Sequence, residues 1–262
     1  SAECARDGDW ASYSAGLWKP TKRPAWQYHT EKLSDERGDH VGRSPASKRD
    51  PLERDAGLAA LRLAEIDPSR AAAGFLRLLQ RYAIYAPTTV ALRGLIADQQ
   101  QREPVGLSGG GLPGAVQGVL LLRRGPGSDR YRKACSDALT LVEWAAGYST
   151  GPASSSPLSP SVPSERVVLE FRDRFMADKR NTLTAYDASE GALYVLFCMV
   201  LCVHPAAPPV LAIDNFDHGL NPRLSRALVQ KMCGWVLDAP EPRQMLLTTH
   251  SPLVLDGLDL TD

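Results

Sequence analysis

The sequence predicts an α/β protein whose sheet is mostly parallel and joined by helical crossovers. Two observations carry that prediction. Apolar residues make up 44% of the 262, enough to build a packed core. Residues 189–252 then alternate helix, strand, helix, strand, each strand being a short apolar run that ends in polar residues. That order favours parallel strands with helical crossovers, and ligands of such sheets sit at the carboxyl ends of the strands.

Along the chain, residues 1–55 are rich in charge, Pro and Gly without sustained periodicity, and read as an irregular segment. Trp10, Trp18 and Trp26 in it suggest partial docking on the core. Residues 56–148 read as a mainly helical region. Leu58, Leu61 and Leu63 mark one helical run, and Phe75, Leu76, Leu78 and Leu79 the next. GLSGGGLPGAVQGVLLLRRG opens with glycines and enters an apolar helix with Pro113 near its first turn. Residues 131–146 form another helix, and 149–166 a Pro/Ser-rich linker. From 167 to 262 lies the most regular part, opening with the alternating strand VVLEFRDRF.

Lys+Arg and Asp+Glu are both 30, giving a formal net charge of +0, so no global attraction to polyanions is encoded. The five cysteines contain no CxxC pair. Cys198 and Cys202 share one side of an apolar helix and read as buried free thiols, a usage that fits a reducing cytosol. No apolar run reaches the ~18 residues of a membrane span, and SAECARDGDW does not have the form of a signal peptide.

The candidate site consists of three short motifs in order. ASEG (188–191) places Ser189 where it can cap the following helix, so that its hydroxyl and nearby amides face an anion at the positive helix end. AIDNFDHGLNP (212–222) delivers Asp214 at a strand tip, where a carboxylate suits a hard cation that keeps its waters. TTHSP (248–252) delivers His250 at the next strand tip. Each has an ordinary reading too: a capping box, a strand-terminal Asp and a structural histidine.

Together these motifs resemble the carboxyl-terminal half of an ABC-type ATPase domain. More narrowly, they resemble AAA-family ATPases with ABC-like heads from overcoming-lysogenization-defect and related bacterial antiphage defence proteins, which share their head architecture with SMC-type chromosome and DNA-repair ATPases. The likeness extends more loosely to YAPTTVALRG and GLSGGGLP, which resemble segments of the insertion between the two halves of such heads, so that 56–148 would be a mainly helical insertion. It implies a P-loop NTPase-like core that binds ATP and Mg²⁺. Ser189, Glu190 and Gly191 would be the signature that closes on nucleotide held by a second copy. Asp214 would hold magnesium. Gly219, Leu220, Asn221 and Pro222 would form the loop that meets the partner head, and His250 would contact the γ-phosphate. Implied partners are a second copy in a nucleotide-sandwiched dimer, a nuclease effector subunit and DNA.

Two departures matter. Asn215 stands where the family has the glutamate that polarises water. An amide orients water but accepts no proton, and general base catalysis is typically worth ~10²–10⁴-fold, so slow hydrolysis is expected. Asp217 is an alternative base. No G-x-x-x-x-G-K-[ST] occurs; GRSPASK (42–48) lacks the second glycine. The chain is therefore read either as a fragment lacking that loop or as a degenerate head that serves as a non-catalytic interaction module. A remote alternative is a serine hydrolase, since GLSGG (106–110) matches G-x-S-x-G and Ser108, Asp214 and His250 fall in the α/β-hydrolase order. The polar, Pro-containing stretch before Ser108 argues against the strand that such a nucleophile needs.

Overall fold

The computed structural model describes residues 2–6, 9–21, 25–44, 54, 57, 66–96, 98, 100–157 and 166–258. They fall into two compact units, 1–81 and 82–262.

The first unit corrects the irregular reading of residues 1–55. Strands β1 (Ala2–Arg6), β2 (Asp9–Trp18), β3 (Gln27–Asp35) and β4 (Gly38–Arg43) form an antiparallel sheet in sequential order. Helix α1 (Ala71–Arg81) contributes Ala72 and Phe75 to a small core with Ala11, Leu33 and Val41. These strands have little hydropathy signature because several inward positions are polar: Gln27, Glu31, Ser34, Asp35 and Arg43 are all buried. Asp35 anchors this polar interior. Its carboxylate pairs with the Arg70 guanidinium, meets His40 Nε2 at 2.8 Å and accepts the Arg37 amide at 3.0 Å. The Arg70 bond holds its pKa well below the ordinary carboxylate range. Trp10, Trp18 and Trp26 are 44%, 45% and 61% exposed. The helical run of Leu58, Leu61 and Leu63 lies outside the described residues, as does Lys48 of GRSPASK.

The second unit contains a three-stranded parallel sheet and a three-stranded antiparallel one. In the parallel sheet, β5 (Ala83–Tyr85) and β10 (Gln244–Leu247) flank β9 (Val210–Ile213). The antiparallel sheet runs β6 (Ala145–Pro152), β7 (Val167–Asp173), β8 (Thr182–Thr184). The parallel part is thus smaller than the sequence suggests. β5 lies inside the region read as helical yet pairs with the central strand. β6 occupies part of the expected linker, because Ala145–Pro152 finds a hydrogen-bonding partner in β7; residues 158–165 of that linker lie outside the described residues.

Ala83, Tyr85, Leu211 and Ile213 face the core, whereas Ile84 and Leu246 of the alternate register are more than half exposed. One face of this sheet is therefore covered and the other open. On the covered side lie α2 (Thr89–Leu92), α3 (Leu112–Leu122), α4 (Asp129–Leu141), α5 (Glu190–Val203), α6 (Pro222–Leu237) and the short α7 (Pro252–Leu255), which share one core with those strand residues. α5 is its axis. Every residue from Ala192 to Val203, Cys198 and Cys202 included, is buried against α2, α3, α4 and α6. Burying each large apolar side chain stabilises the fold by about 1.5–3 kcal/mol.

A helix sunk this deeply must have its ends satisfied. Ser189 Oγ accepts the Ala192 amide at 3.4 Å. At the other end Arg243 donates to the carbonyls of Leu201, Cys202 and His204, and Arg130 to that of Val203. Two cations at the negative helix end also suit its dipole. α4 and α6 are clasped by Asp137, which accepts from Lys231 Nζ at 2.6 Å and Trp235 Nε1 at 3.1 Å. Among the described residues, no helix is long and apolar enough to cross a membrane.

Candidate functional site

Because β9 and β10 are parallel neighbours in register, their carboxyl ends bring Asp214 and Thr248 side by side. Hydrogen bonding continues past both strands: Asp214 N–H donates to Tyr85 O (2.9 Å), Thr248 N–H to Ile213 O (3.1 Å) and Phe216 N–H to Thr248 O (2.8 Å). Thr248 is the pivot. Its hydroxyl donates to Asp214 Oδ1 at 2.5 Å and accepts the Asn215 amide at 2.8 Å. Asp214, Asn215, Thr248 and His250 are all exposed, so the strand tips form an open polar platform. The spacing of TTHSP singles out its histidine, but the threonine two residues earlier makes the contact with the carboxylate.

Asn215 has φ +52° and is the one non-glycine at positive φ among the described residues. Asparagine tolerates this left-handed conformation better than other side chains with a Cβ. The turn it starts is closed by His218 N–H donating to Asn215 O at 2.9 Å.

Asp217 does not stand free as an alternative base. Its Oδ1 accepts from Thr249 Oγ1 at 2.6 Å and from the His250 amide at 3.0 Å, fastening the β9 loop to the β10 exit. The Thr249 bond, aided by the His250 amide, lowers its pKa below the usual carboxylate value, which makes it a weaker base.

The remaining predicted residues gather elsewhere. Ser189, Glu190, Gly191, Gly219 and Asn221 line a groove of about 740 Å³, with Arg223 on its wall; Asp214 and His250 are not part of it. Asn221 is occupied locally. Its Oδ1 caps α6 by accepting the Leu224 amide at 2.9 Å, and Pro222 takes the first helical position, so the Asn-Pro pair has a structural reason of its own. Leu220 packs on the core. Glu190 receives a hydrogen bond from Thr89 Oγ1 and lies over Gly219, where a Cβ would approach its Cδ to 2.8 Å. Thr89 and Thr248 lie within YAPTTVALRG and TTHSP, yet sequence reasoning assigned neither a role, since a threonine's partner in a distant segment leaves no pattern signal.

No strand leads into Ser108, which sits in a glycine-rich loop whose Ser108 and Gly110 amides both donate to Asp98 Oδ2. The nucleophile elbow is therefore not built.

The open strand-tip platform offers carboxylate and hydroxyl oxygens, a donor set suited to hydrated magnesium. No curated protein matches the chain. A model of the family described as "AAA domain, putative AbiEii toxin, Type IV TA system" matches residues 126–256, half of the chain. That span runs from α4 to α7 and takes in both the groove and the strand tips. By this match the chain belongs to that AAA-domain family, whose members are nucleotide-binding, ATPase-type proteins of the P-loop class.

Proposed function

We propose that the chain is part of an ABC-like ATPase head that binds ATP with Mg²⁺, dimerises around it and hydrolyses it slowly, controlling a DNA-directed or antiphage effector such as a nuclease subunit. The observation that carries this reading is the Asp214–Thr248 hydrogen bond at neighbouring tips of parallel strands, at the edge where α/β sheets bind ligands. Bound magnesium–ATP would supply the phosphoryl group and neutralise its charge. Asp214 would hold the metal's water shell and His250 the γ-phosphate. Asn215 would orient water without taking its proton. The sequence contains no G-x-x-x-x-G-K-[ST], so these 262 residues do not supply that amide cradle. The groove at Ser189–Gly191 lies apart from Asp214, an arrangement suited to serving the nucleotide of a second copy.

Asn215, with no carboxylate, favours a second reading: a non-catalytic head acting as an interaction module. Binding of a fluorescent ATP analogue to the full-length protein, with and without Mg²⁺, tests both. Magnesium-dependent binding weakened at least about tenfold by Asp214→Ala is expected, the loss typical of a charge-assisted contact, and measurable turnover makes the protein an enzyme. Binding without turnover describes a clamp. Binding indifferent to Mg²⁺ and to Asp214→Ala overturns the site, and no binding supports the module.

A further inference from the structure

Glu190 belongs to the groove and Asp214 to the strand tips, yet residues 85–93 touch both. At one end, Tyr85 O accepts the Asp214 amide at 2.9 Å, extending the β5–β9 pairing to the first residue of the platform. At the other, Thr89 Oγ1 donates to the Glu190 carboxylate, and Arg93 Nη2 donates to Ala188 O at 3.4 Å. The stretch between them is held along its length. Ala86 N–H donates to Leu107 O and Thr88 N–H to Ser108 O, and Thr88 caps α2. Leu92 is buried against Gly109, where a Cβ would come within 2.5 Å of its Cδ2. Glu190 meanwhile rests on Gly219, which needs its left-handed φ of +75° and whose loop begins at Asp214.

We infer that residues 85–93 are a positioning strap, in which Thr89 and Arg93 fix the start of α5 relative to the strand tips so that the groove and the platform move as one. A carboxylate gripped by a hydroxyl on one side and backed by a glycine on the other has one preferred orientation, and charge-assisted hydrogen bonds are the strong ones. Thr89 is a positioning residue that acts through Glu190. Within the proposed function, the strap links the place where a chain binds its own nucleotide to the surface it offers a second copy.

Amide hydrogen exchange on the nucleotide-free, full-length protein tests the strap without reference to turnover. Thr89→Val, which removes the donor, is expected to raise exchange roughly fivefold, the effect of losing one partly exposed hydrogen bond, at 190–193 and also at 214–221. Thr89→Ser restores the hydroxyl and should return both segments to wild-type rates. Gly219→Ala, which displaces Glu190 from the other side, should reproduce the Thr89→Val pattern. Unchanged exchange in Thr89→Val, or a change confined to 190–193, overturns the proposal. Added Mg²⁺–ATP separates the two levels: protection of 214–218 but not 190–193 in Thr89→Val supports the strap. Equal protection of both segments in that variant, at a protein concentration where it stays monomeric, refutes it. No protection even in wild type counts against the nucleotide reading and leaves the nucleotide-free result to decide the strap.

Discussion

Replacing Asn215 separates two demands on one residue. The backbone there is left-handed, with φ +52°, a region that costs an ordinary L-residue ~1–2 kcal/mol but costs asparagine less and glycine nothing. The turn cannot relax out of it easily, because the Asn215 amide is bonded to Thr248 Oγ1 and its carbonyl to the His218 amide. Asn215→Glu and Asn215→Gln should therefore each destabilise the protein by about 1 kcal/mol, lowering Tm by roughly 2–4 °C, while Asn215→Gly should match or exceed wild type. Turnover should sort the variants differently. Glu adds a proton acceptor beside Asp214 and should raise kcat, up to the ~10²–10⁴-fold typical of general base catalysis, whereas Gln should not. Thermal melts and steady-state ATPase assays on the full-length variants measure the two effects independently. Equal turnover for Glu and Gln would refute the claim that a base is what the site lacks. Wild-type Tm for both would refute the claim that backbone geometry selects asparagine.

Two further outcomes follow from individual groups. The Tyr194 hydroxyl is buried and has no hydrogen-bond partner among the described residues, so Tyr194→Phe should stabilise the protein by about 1 kcal/mol, the lower end of the cost of an unsatisfied buried group. A fall in Tm on this change would show that the hydroxyl is satisfied. Asp217 has a pKa lowered chiefly by Thr249, so its contribution is fully present above the unfolded carboxylate value of about 4 and is lost as pH falls through the depressed folded one. Tm should drop as pH falls below about 4 in wild type and less steeply in Asp217→Asn; parallel curves would exclude Asp217 as the source.

What the sequence discloses depends on which force shapes each element. α5, β9, α6 and β10 are legible because apolar burial writes their periods directly into residues 189–247. The strands of the first unit are not, since buried Gln27, Glu31 and Asp35 stand where hydrophobic alternation would be read. β5 is missed for another reason. It is three residues long, and its pairing with β9 spans more than a hundred residues of chain, so no local window contains its partner. At the site, Asp214 and His250 are visible as motif letters, whereas the work of Thr248 and Thr89 emerges only when distant segments meet.

The same distinction bears on how the groove and the strand tips can communicate. The loop from Asp214 to Asn221 could have been a flexible connector, in which case a ligand at one end would leave the other unaffected. Instead it is fixed near both ends and in the middle. Thr248 holds its start, Asp217 ties its centre to Thr249 and His250, and Asn221 caps α6 at its finish. Rigidity of this kind is costly unless the geometry is needed, because every fixed residue gives up about 1–2 kcal/mol of backbone entropy. A loop so constrained transmits displacement rather than absorbing it. A shift of Asp214 should therefore reach Gly219 and, through Glu190, the mouth of the groove.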